Sequence, residues 1–289
     1  MAGRRTIADL LEAKRHGKKI VAVSCYDFTT AGLVAQADVD MIIVGDSAGQ
    51  HLLGFENTLP VGMDFMLAIT GAVRRAAPGL CIVADMPFLS YQVDKATAIR
   101  NAGRFITEAG ADMVKMEVSK AYLDTLKAVA DAGIAVMAHI GIRPQYIGQT
   151  GRLKAEATTA QEAIELIRLA EQLPGHGACA ILLEGTACEV ASMICRASPV
   201  PVIGCGSGAG CDGQVLIAAD ILGLTSERPR FAVAFADLAV QVVRAIAAYS
   251  HHVRAGTFPD QSHSYHLKPG QMELLDRLGK AADQAKDRQ

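Results

Sequence analysis

The 289-residue chain has nearly balanced charge, with 28 basic residues against 30 acidic ones. This balance argues against nucleic acid as an obvious partner. Hydrophobic residues make up 51% of the chain, but no apolar run reaches about 18 residues without a charge or a turn, so we predict no membrane span. The N-terminus lacks the apolar run of a secretory signal, and none of the seven cysteines forms a Cys-x-x-Cys pair. We therefore expect a cytoplasmic protein with reduced thiols.

Short apolar segments alternate with amphipathic helices along most of the chain. Seven strands are predicted at 20–24, 41–44, 80–84, 112–116, 134–138, 179–183 and 201–203. Helices are predicted at 6–17, 31–37, 64–75, 95–109, 121–132, 159–172, 188–196, 212–219 and 238–249. We place the eighth strand near 221–224 or 231–235.

This alternation is typical of a parallel sheet, and eight such units favour closure into a barrel. We therefore predict an α/β fold, a TIM (β/α)8 barrel with a short N-terminal helix and a C-terminal helical tail. We expect one domain over residues 1–289, with its core at about 18–250 and a peripheral tail at about 266–289.

Ionisable side chains stand at the ends of five successive predicted strands. In chain order they are Asp46, Asp85, Lys115 with Glu117, His139 and Glu184. The carboxyl ends of the strands in such a barrel meet at its catalytic face, so these groups should converge. Each one alone is readily explained as a capping or salt-bridged residue, but five in succession favour an active site.

Three of the four carboxylates follow the second, third and fourth strands and have no cysteine or second histidine beside them. Asp46, Asp85 and Glu117 therefore suit a hard cation, and Mg²⁺ is preferred to Zn²⁺. A bound divalent cation polarises a carbonyl group and stabilises developing enolate charge. The pattern predicts metal-assisted proton abstraction next to a carbonyl group.

The remaining polar residues are suited to substrate binding and proton transfer. Lys115 and Ser47 can bind a carboxylate, and His139 can donate a hydrogen bond to an oxyanion. Glu184 follows an apolar run and is the predicted general base.

The glycine-rich segment 204–213 contains G-x-G-x-x-G but lacks the acidic partner of a dinucleotide site, so we interpret it as a turn that a ligand approaches closely.

The chain resembles the ketopantoate hydroxymethyltransferase family, which belongs to the phosphoenolpyruvate mutase and isocitrate lyase superfamily of barrels. The resemblance extends from about Thr6 to Tyr265. It is carried by Tyr26-Asp27, Val44-Gly-Asp-Ser-Ala-Gly49, Asn57-Thr-Leu-Pro-Val61, Val83-Ala-Asp-Met-Pro-Phe88, Met113-Val-Lys-Met-Glu117, His139-Ile-Gly141, Asp212-Gly-Gln-Val-Leu216, Phe258-Pro259 and His263-Ser-Tyr265.

This resemblance implies a Mg²⁺-dependent enzyme that uses 5,10-methylenetetrahydrofolate to add a hydroxymethyl group to 3-methyl-2-oxobutanoate, giving 2-dehydropantoate for pantothenate biosynthesis. The implied metal ligands are Asp46, Asp85 and Glu117. The implied substrate-binding residues are Asp46, Ser47, Asp85, Lys115 and His139. Glu184 would take the C3 proton of the oxo acid. Members of the family form decamers, which implies a homo-oligomer.

Several loops depart from the family pattern. Val118-Ser119 stand where members usually have Gly-Gly, and residues 149–154 lack the usual aromatic residue. Residues 185–187 stand where members often have Val-Pro, and Ala219 stands where many members have a histidine before the aspartate. Two further interpretations therefore stay open. One is a lyase or mutase of the same superfamily that acts on another 2-oxo or 2-hydroxy acid, although the Lys-Cys-Gly-His loop of such lyases has no counterpart here. The other is a non-catalytic scaffold.

Overall fold

Eight parallel strands form a closed barrel in chain order. The structure is a computed structural model that describes residues 4–286, with side chains described through Lys280. The strands are β1 (Ile20–Ser24), β2 (Met41–Val44), β3 (Cys81–Asp85), β4 (Met113–Glu117), β5 (Val136–Gly141), β6 (Ala178–Glu184), β7 (Val202–Cys205) and β8 (Gly213–Ile217). The predicted TIM barrel is confirmed, and the first seven predicted strands lie within three residues of the observed ones.

Helices surround the barrel and continue beyond it in the sequence. They are α1 (Ile7–Arg15), α2 (Phe28–Val34), α3 (Ala48–Leu53), α4 (Met63–Ala76), α5 (Lys95–Thr107), α6 (Leu123–Asp131), α7 (Ile147–Thr150), α8 (Ala160–Gln172), α9 (Cys188–Ala197), α10 (Ala218–Ile221), α11 (Leu238–Arg254) and α12 (Gln271–Lys286). The chain forms two compact units that divide after Ala236, so α11 and α12 belong to the second. None of the described helices is long and apolar enough to cross a membrane.

The predicted position of the eighth strand is wrong, and so is the helix predicted at 212–219. Residues 213–217 instead form β8, which pairs with β1 over five positions and with β7 over two. A Cβ atom on Gly213 would stand 2.4 Å from the carbonyl oxygen of Ile20, so only glycine fits this close approach of two strands. The short apolar run after Gly213 is compatible with a strand or a helix. Pairing with β1 makes residues 213–217 a strand.

No helix separates β7 from β8. The glycine-rich residues 206–212 connect the two strands directly, with Gly206 at φ +66° and Gly208 at φ +83°. These left-handed backbone angles are readily adopted by glycine alone. The segment is therefore a tight connection from the carboxyl end of β7 to the amino end of β8.

Alternate residues of each strand face the barrel interior, since successive side chains point to opposite faces. The interior contains a compact apolar cluster that includes Met41, Val83, Met113 and Met137. Leu10 of α1 belongs to the same cluster, so α1 covers the amino-terminal end of the barrel. The intervening strand residues pack in a second cluster together with the surrounding helices. Apolar side chains thus fill the lower barrel and leave the carboxyl end for polar ones.

Candidate active site

The predicted site residues lie at the carboxyl end of the barrel. Lys115, Glu117 and His139 belong to its last interior layer, and Asp46 and Ser47 lie just beyond the end of β2. Lys115 and Glu117 of β4 lie two positions apart, so both face inward after Met113. The same two-residue step places His139 after Met137 in β5. A cavity of about 410 Å³ opens above this layer. Its lining includes the predicted residues Asp46, Ser47, Asp85, Lys115, His139 and Glu184.

Lys115 and Asp85 form an ion pair inside the barrel. The Lys115 Nζ lies 2.7 Å from Asp85 Oδ2, and the two side chains are only 7% and 1% exposed. The Lys115 Nζ also lies 3.3 Å from His139 Nδ1. Burial lowers the pKa of Lys115, but the carboxylates of Asp85, Asp46 and Glu117 outweigh it and raise the pKa above its usual value. Lys115 therefore stays a charged ammonium group that can hold an anion.

Asp46 lies beside Asp85, just beyond the end of β2. Its backbone N–H donates to Asp85 Oδ2 at 3.0 Å, and its own Oδ2 accepts from the Gln145 side-chain amide at 2.9 Å. Burial first, and then the neighbouring Asp85 charge, raise the pKa of Asp46 well above its ordinary value. Two adjacent buried carboxylates with one ammonium group create a local excess of negative charge.

The carboxylate oxygens in this layer fit a hard cation. Asp85 Oδ1 and Glu117 Oε2 are buried and accept no hydrogen bond from a described residue, which is costly for a carboxylate. Burial raises the pKa of Glu117 well above its ordinary value. Within residues 4–286 no three potential ligand side chains converge into a complete metal site. A cation held here must therefore complete its shell with water or substrate oxygens, as Mg²⁺ commonly does.

His139 lies between Lys115 and Glu184. Its Nε2 lies 3.4 Å from Glu184 Oε2, a close approach that forms no hydrogen bond in this geometry. Burial first, and then the Lys115 charge, lower the pKa of His139. The imidazole is therefore neutral near pH 7 and can donate one hydrogen bond. The Glu184 side chain is 21% exposed, so its carboxylate faces the cavity although apolar residues precede it in β6.

Gln145 is the main site residue that sequence reasoning missed. Its side-chain amide donates to Asp46 Oδ2, and its backbone N–H donates to Glu117 Oε1 at 3.1 Å. The side-chain oxygen accepts from the Tyr91 hydroxyl at 2.9 Å and from Gln92 at 3.0 Å, which fixes the orientation of the amide. The sequence signal for Gln145 was Pro144, which begins a turn three residues after the end of β5. Gln145 thus joins two carboxylates that come from different strands.

Tyr26 is a second missed residue, although it belongs to a segment that carries the family resemblance. Its hydroxyl shares a hydrogen bond of 2.7 Å with Ser47 Oγ, and its ring stacks on His51 with centroids 5.9 Å apart. Burial raises the pKa of Tyr26, so the phenol is protonated. The contact holds the Ser47 hydroxyl at the edge of the cavity.

Comparison with known sequences decides the family. A family profile described as ketopantoate hydroxymethyltransferase matches residues 4–261. A 3-methyl-2-oxobutanoate hydroxymethyltransferase from Hyperthermus butylicus is 46% identical over 96% of this chain and 97% of its own length. The enzyme of the same name from Geotalea uraniireducens is 43% identical over 91% and 98%. The chain belongs to the ketopantoate hydroxymethyltransferase family. The prediction of a hydroxymethyltransferase enzyme is therefore confirmed.

Comparison with solved structures identifies the same fold in more distant enzymes. A phosphoenolpyruvate phosphomutase from Streptomyces platensis subsp. rosaceus has a TM-score of 0.58 at 15% identity, covering 98% of both chains. A phosphonopyruvate hydrolase solved with oxalate and Mg²⁺ has a TM-score of 0.58 at 13% identity, covering 98% of this chain and 99% of that one. A 2,3-dimethylmalate lyase, a member of the predicted superfamily, has a TM-score of 0.57 at 16% identity, covering 96% of both chains. At these identities the likeness concerns the fold alone.

Proposed function

We propose that this chain transfers a hydroxymethyl group from 5,10-methylenetetrahydrofolate to 3-methyl-2-oxobutanoate in a Mg²⁺-dependent reaction that yields 2-dehydropantoate. One observation carries the proposal: an ammonium group, three buried carboxylates, a neutral imidazole and a more exposed glutamate share the end of one barrel. This set suits binding of a 2-oxo acid and removal of a proton next to its carbonyl group. The names of the relatives favour this reaction over the lyase, mutase and scaffold alternatives.

Asp46, Asp85 and Glu117 would hold the Mg²⁺. The unpartnered oxygens of Asp85 and Glu117 support this assignment. The oxalate and Mg²⁺ found together in the phosphonopyruvate hydrolase of the same fold are consistent with it. When bound, the metal supplies polarisation of the keto group and charge compensation for the enolate.

Lys115 and Ser47 would bind the carboxylate of the oxo acid. The ammonium group of Lys115 provides a fixed positive charge, and the hydroxyl of Ser47, held by Tyr26, provides a hydrogen-bond donor. The neutral His139 donates a hydrogen bond to the developing oxyanion, and its neutrality avoids a second cation beside Lys115.

Glu184 would remove the C3 proton, because it faces the cavity beside His139. C3 then forms a carbon–carbon bond with the methylene carbon of the folate, and both carbon–nitrogen bonds of that carbon break. Water supplies the hydroxyl oxygen of the product. The C3 proton and the second proton of that water end on the two folate nitrogens, which balances the reaction.

The direct test uses purified protein with Mg²⁺, 3-methyl-2-oxobutanoate and 5,10-methylenetetrahydrofolate. We expect 2-dehydropantoate and tetrahydrofolate in equal amounts, and no product when Mg²⁺ is removed by a chelator. Absence of product with all three components present would exclude the proposed reaction.

The first prediction concerns Glu184. Glu184→Gln should slow exchange of the C3 proton with deuterated water by about 10²- to 10⁴-fold, the usual contribution of a general base. Binding of the oxo acid should change little, since Lys115 and Ser47 remain. Proton NMR measures the exchange without added folate. Glu189→Gln, an exposed position on α9, is the matched control; equal exchange rates in the two variants would show that Glu184 is not the base.

A further inference from the structure

The cavity extends beyond the groups that the oxo acid needs. Its volume of about 410 Å³ falls in the range of pockets that take drug-sized ligands, well above the need of a five-carbon acid. The charged groups Lys115 and Asp85 come from β4 and β3, on the other side of the barrel from β8. The cavity lining also includes Ile217 at the end of β8, Asp220 of α10 and Phe231 of the loop that follows. Ile217, Asp220 and Phe231 define an outer region, which contains none of the groups proposed to hold the oxo acid.

Asp220 supplies a polar group in the outer region. The residue is only 3% exposed, and its Oδ1 accepts from the Thr225 hydroxyl at 2.6 Å. Its Oδ2 accepts no hydrogen bond from the described part of the chain. Asp220 also lines the cavity. A buried carboxylate with one anchored oxygen and one unpartnered oxygen is suited to accept hydrogen bonds from a ligand.

Phe231 supplies an aromatic wall in the same region. Its ring lies on the backbone of Gly206, where a Cβ atom would be only 2.4 Å from the ring. Gly206 therefore lets the ring pack closely against the barrel mouth. The residue is 36% exposed and lines the cavity, so part of the ring remains open to a ligand.

The outer region lies on the Glu184 side of the barrel. Cys205 pairs in register with Glu184 and immediately precedes Gly206. Burial raises the pKa of the Cys205 thiol, and the nearby charges of Glu184 and Asp220 raise it further. A flat ligand seated against Asp220 and Phe231 is therefore adjacent to the proposed base.

We propose that the outer region binds the reduced pterin ring of the folate co-substrate, an inference that rests on the proposed function. The Asp220 carboxylate accepts the adjacent N3–H and 2-amino N–H donors of the ring, a pair of parallel donors that matches a carboxylate. Phe231 stacks on the ring face. The methylene carbon between N5 and N10 then points toward C3 of the oxo acid beside Glu184.

The test compares Asp220→Asn with Phe231→Ala. Asparagine keeps the shape and can still accept from Thr225, but it cannot accept both pterin donors as a carboxylate does. We expect the KM for 5,10-methylenetetrahydrofolate and the Kd for tetrahydrofolate to rise about tenfold or more in Asp220→Asn, and several-fold in Phe231→Ala. The KM for 3-methyl-2-oxobutanoate and the folate-independent C3 exchange rate should remain unchanged in both. Phe235→Ala, an exposed phenylalanine of the same loop, is the matched control.

The readouts separate this inference from the proposed function. Unchanged folate KM and Kd in Asp220→Asn would overturn the subsite, and so would a parallel loss of C3 exchange, which indicates a structural role for Asp220. A wild-type protein that binds no tetrahydrofolate would overturn it as well. A wild-type protein that binds tetrahydrofolate but forms no 2-dehydropantoate would overturn only the proposed function, and the Kd of Asp220→Asn would still test the subsite.

Discussion

At the scale of single residues, the site depends on buried charges that compensate one another. Lys115 is surrounded by carboxylates that raise its pKa, while the same low-dielectric setting raises the pKa of Asp46 and Glu117. Gln145 connects the two acids through hydrogen bonds. Removing one member of this network leaves the others buried without partners, so effects on stability and on ligand binding should appear together.

Lys115→Met tests the buried ion pair. Because it leaves Asp85 buried without its partner, we expect the free energy of unfolding to fall by about 3–5 kcal/mol and binding of the oxo acid to be lost. Urea denaturation and calorimetry measure the two effects. Lys127→Met breaks an exposed pair with Asp131 and should cost less than about 1 kcal/mol. A Lys115 variant as stable as this control would contradict the role assigned to the pair.

Gln145→Leu tests the hydrogen bond that orients the Asp46 carboxylate, a proposed ligand of Mg²⁺. It removes the amide donor to Asp46, so we expect Mg²⁺ affinity to fall about 10- to 100-fold, as for other partners of metal ligands. Titration calorimetry with Mg²⁺ gives the affinity. Gln172→Leu is the control, because the exposed Gln172 amide donates to the Arg168 carbonyl of its own helix, away from the site. Equal Mg²⁺ affinity in the two variants would refute this positioning role.

At the scale of elements, barrel closure depends on the fit of β8 between β7 and β1. Gly213 is the first residue of β8, and its Cα lies where a side chain would collide with Ile20 and Ile203. The connection from β7 is only seven residues long and has no helix, so this junction has little freedom to move. The position of β8 is therefore set by close packing of backbone against backbone.

Gly213→Ala should destabilise the barrel by about 1–3 kcal/mol, the usual cost of overpacking, or more if the backbone cannot shift. The midpoint of urea denaturation measures this change. Gly103→Ala in α5 meets no atom within 4 Å and should instead stabilise the protein by about 0.4–1 kcal/mol. A change of the same sign in the free energy of unfolding of both variants would contradict the proposed crowding at Gly213.

At the scale of the whole molecule, protonation and metal binding are coupled to stability. The pKa values of Asp46 and Glu117 are raised in the folded protein, so the folded state binds their protons more tightly than the unfolded state. Without metal, this stabilisation is fully present below the unfolded pKa values of about 4 and is lost as pH rises through the folded ones. Mg²⁺ should act in the opposite direction, since it binds the deprotonated carboxylates.

Mg²⁺ should therefore raise the melting temperature more at pH 8 than at pH 6. At a concentration of about 100 times Kd the expected stabilisation is about 2.7 kcal/mol. Thermal unfolding with and without Mg²⁺ at both pH values measures the effect, and Asp46→Asn should abolish it. An equal rise at both pH values, or a rise that persists in this variant, would argue against Mg²⁺ binding at these carboxylates.

The homo-oligomer implied by the family resemblance stays a prediction.

The sequence by itself determined the barrel and most of its polar layer. The two-residue period of a strand is a local property, so Lys115 and Glu117 share a face wherever β4 lies. The parallel topology then brings the ends of successive strands together, which places Asp85 and His139 beside them. These inferences need no knowledge of distant contacts, and the apolar runs of the first seven strands were long enough to locate them.

Only the tertiary structure decided the features that depend on contacts between distant segments. The apolar run in β8 is compatible with either a helix or a strand, and its pairing with β1 selects the strand. Gln145 reaches Asp46, 99 residues earlier in the chain, through a turn whose path local sequence does not specify. The placement of Phe231 over Gly206 depends in the same way on a loop that folds back onto the barrel mouth. The charged residues at the strand ends were thus predictable from the sequence. The residues around them depend on close packing between segments that are far apart in the chain.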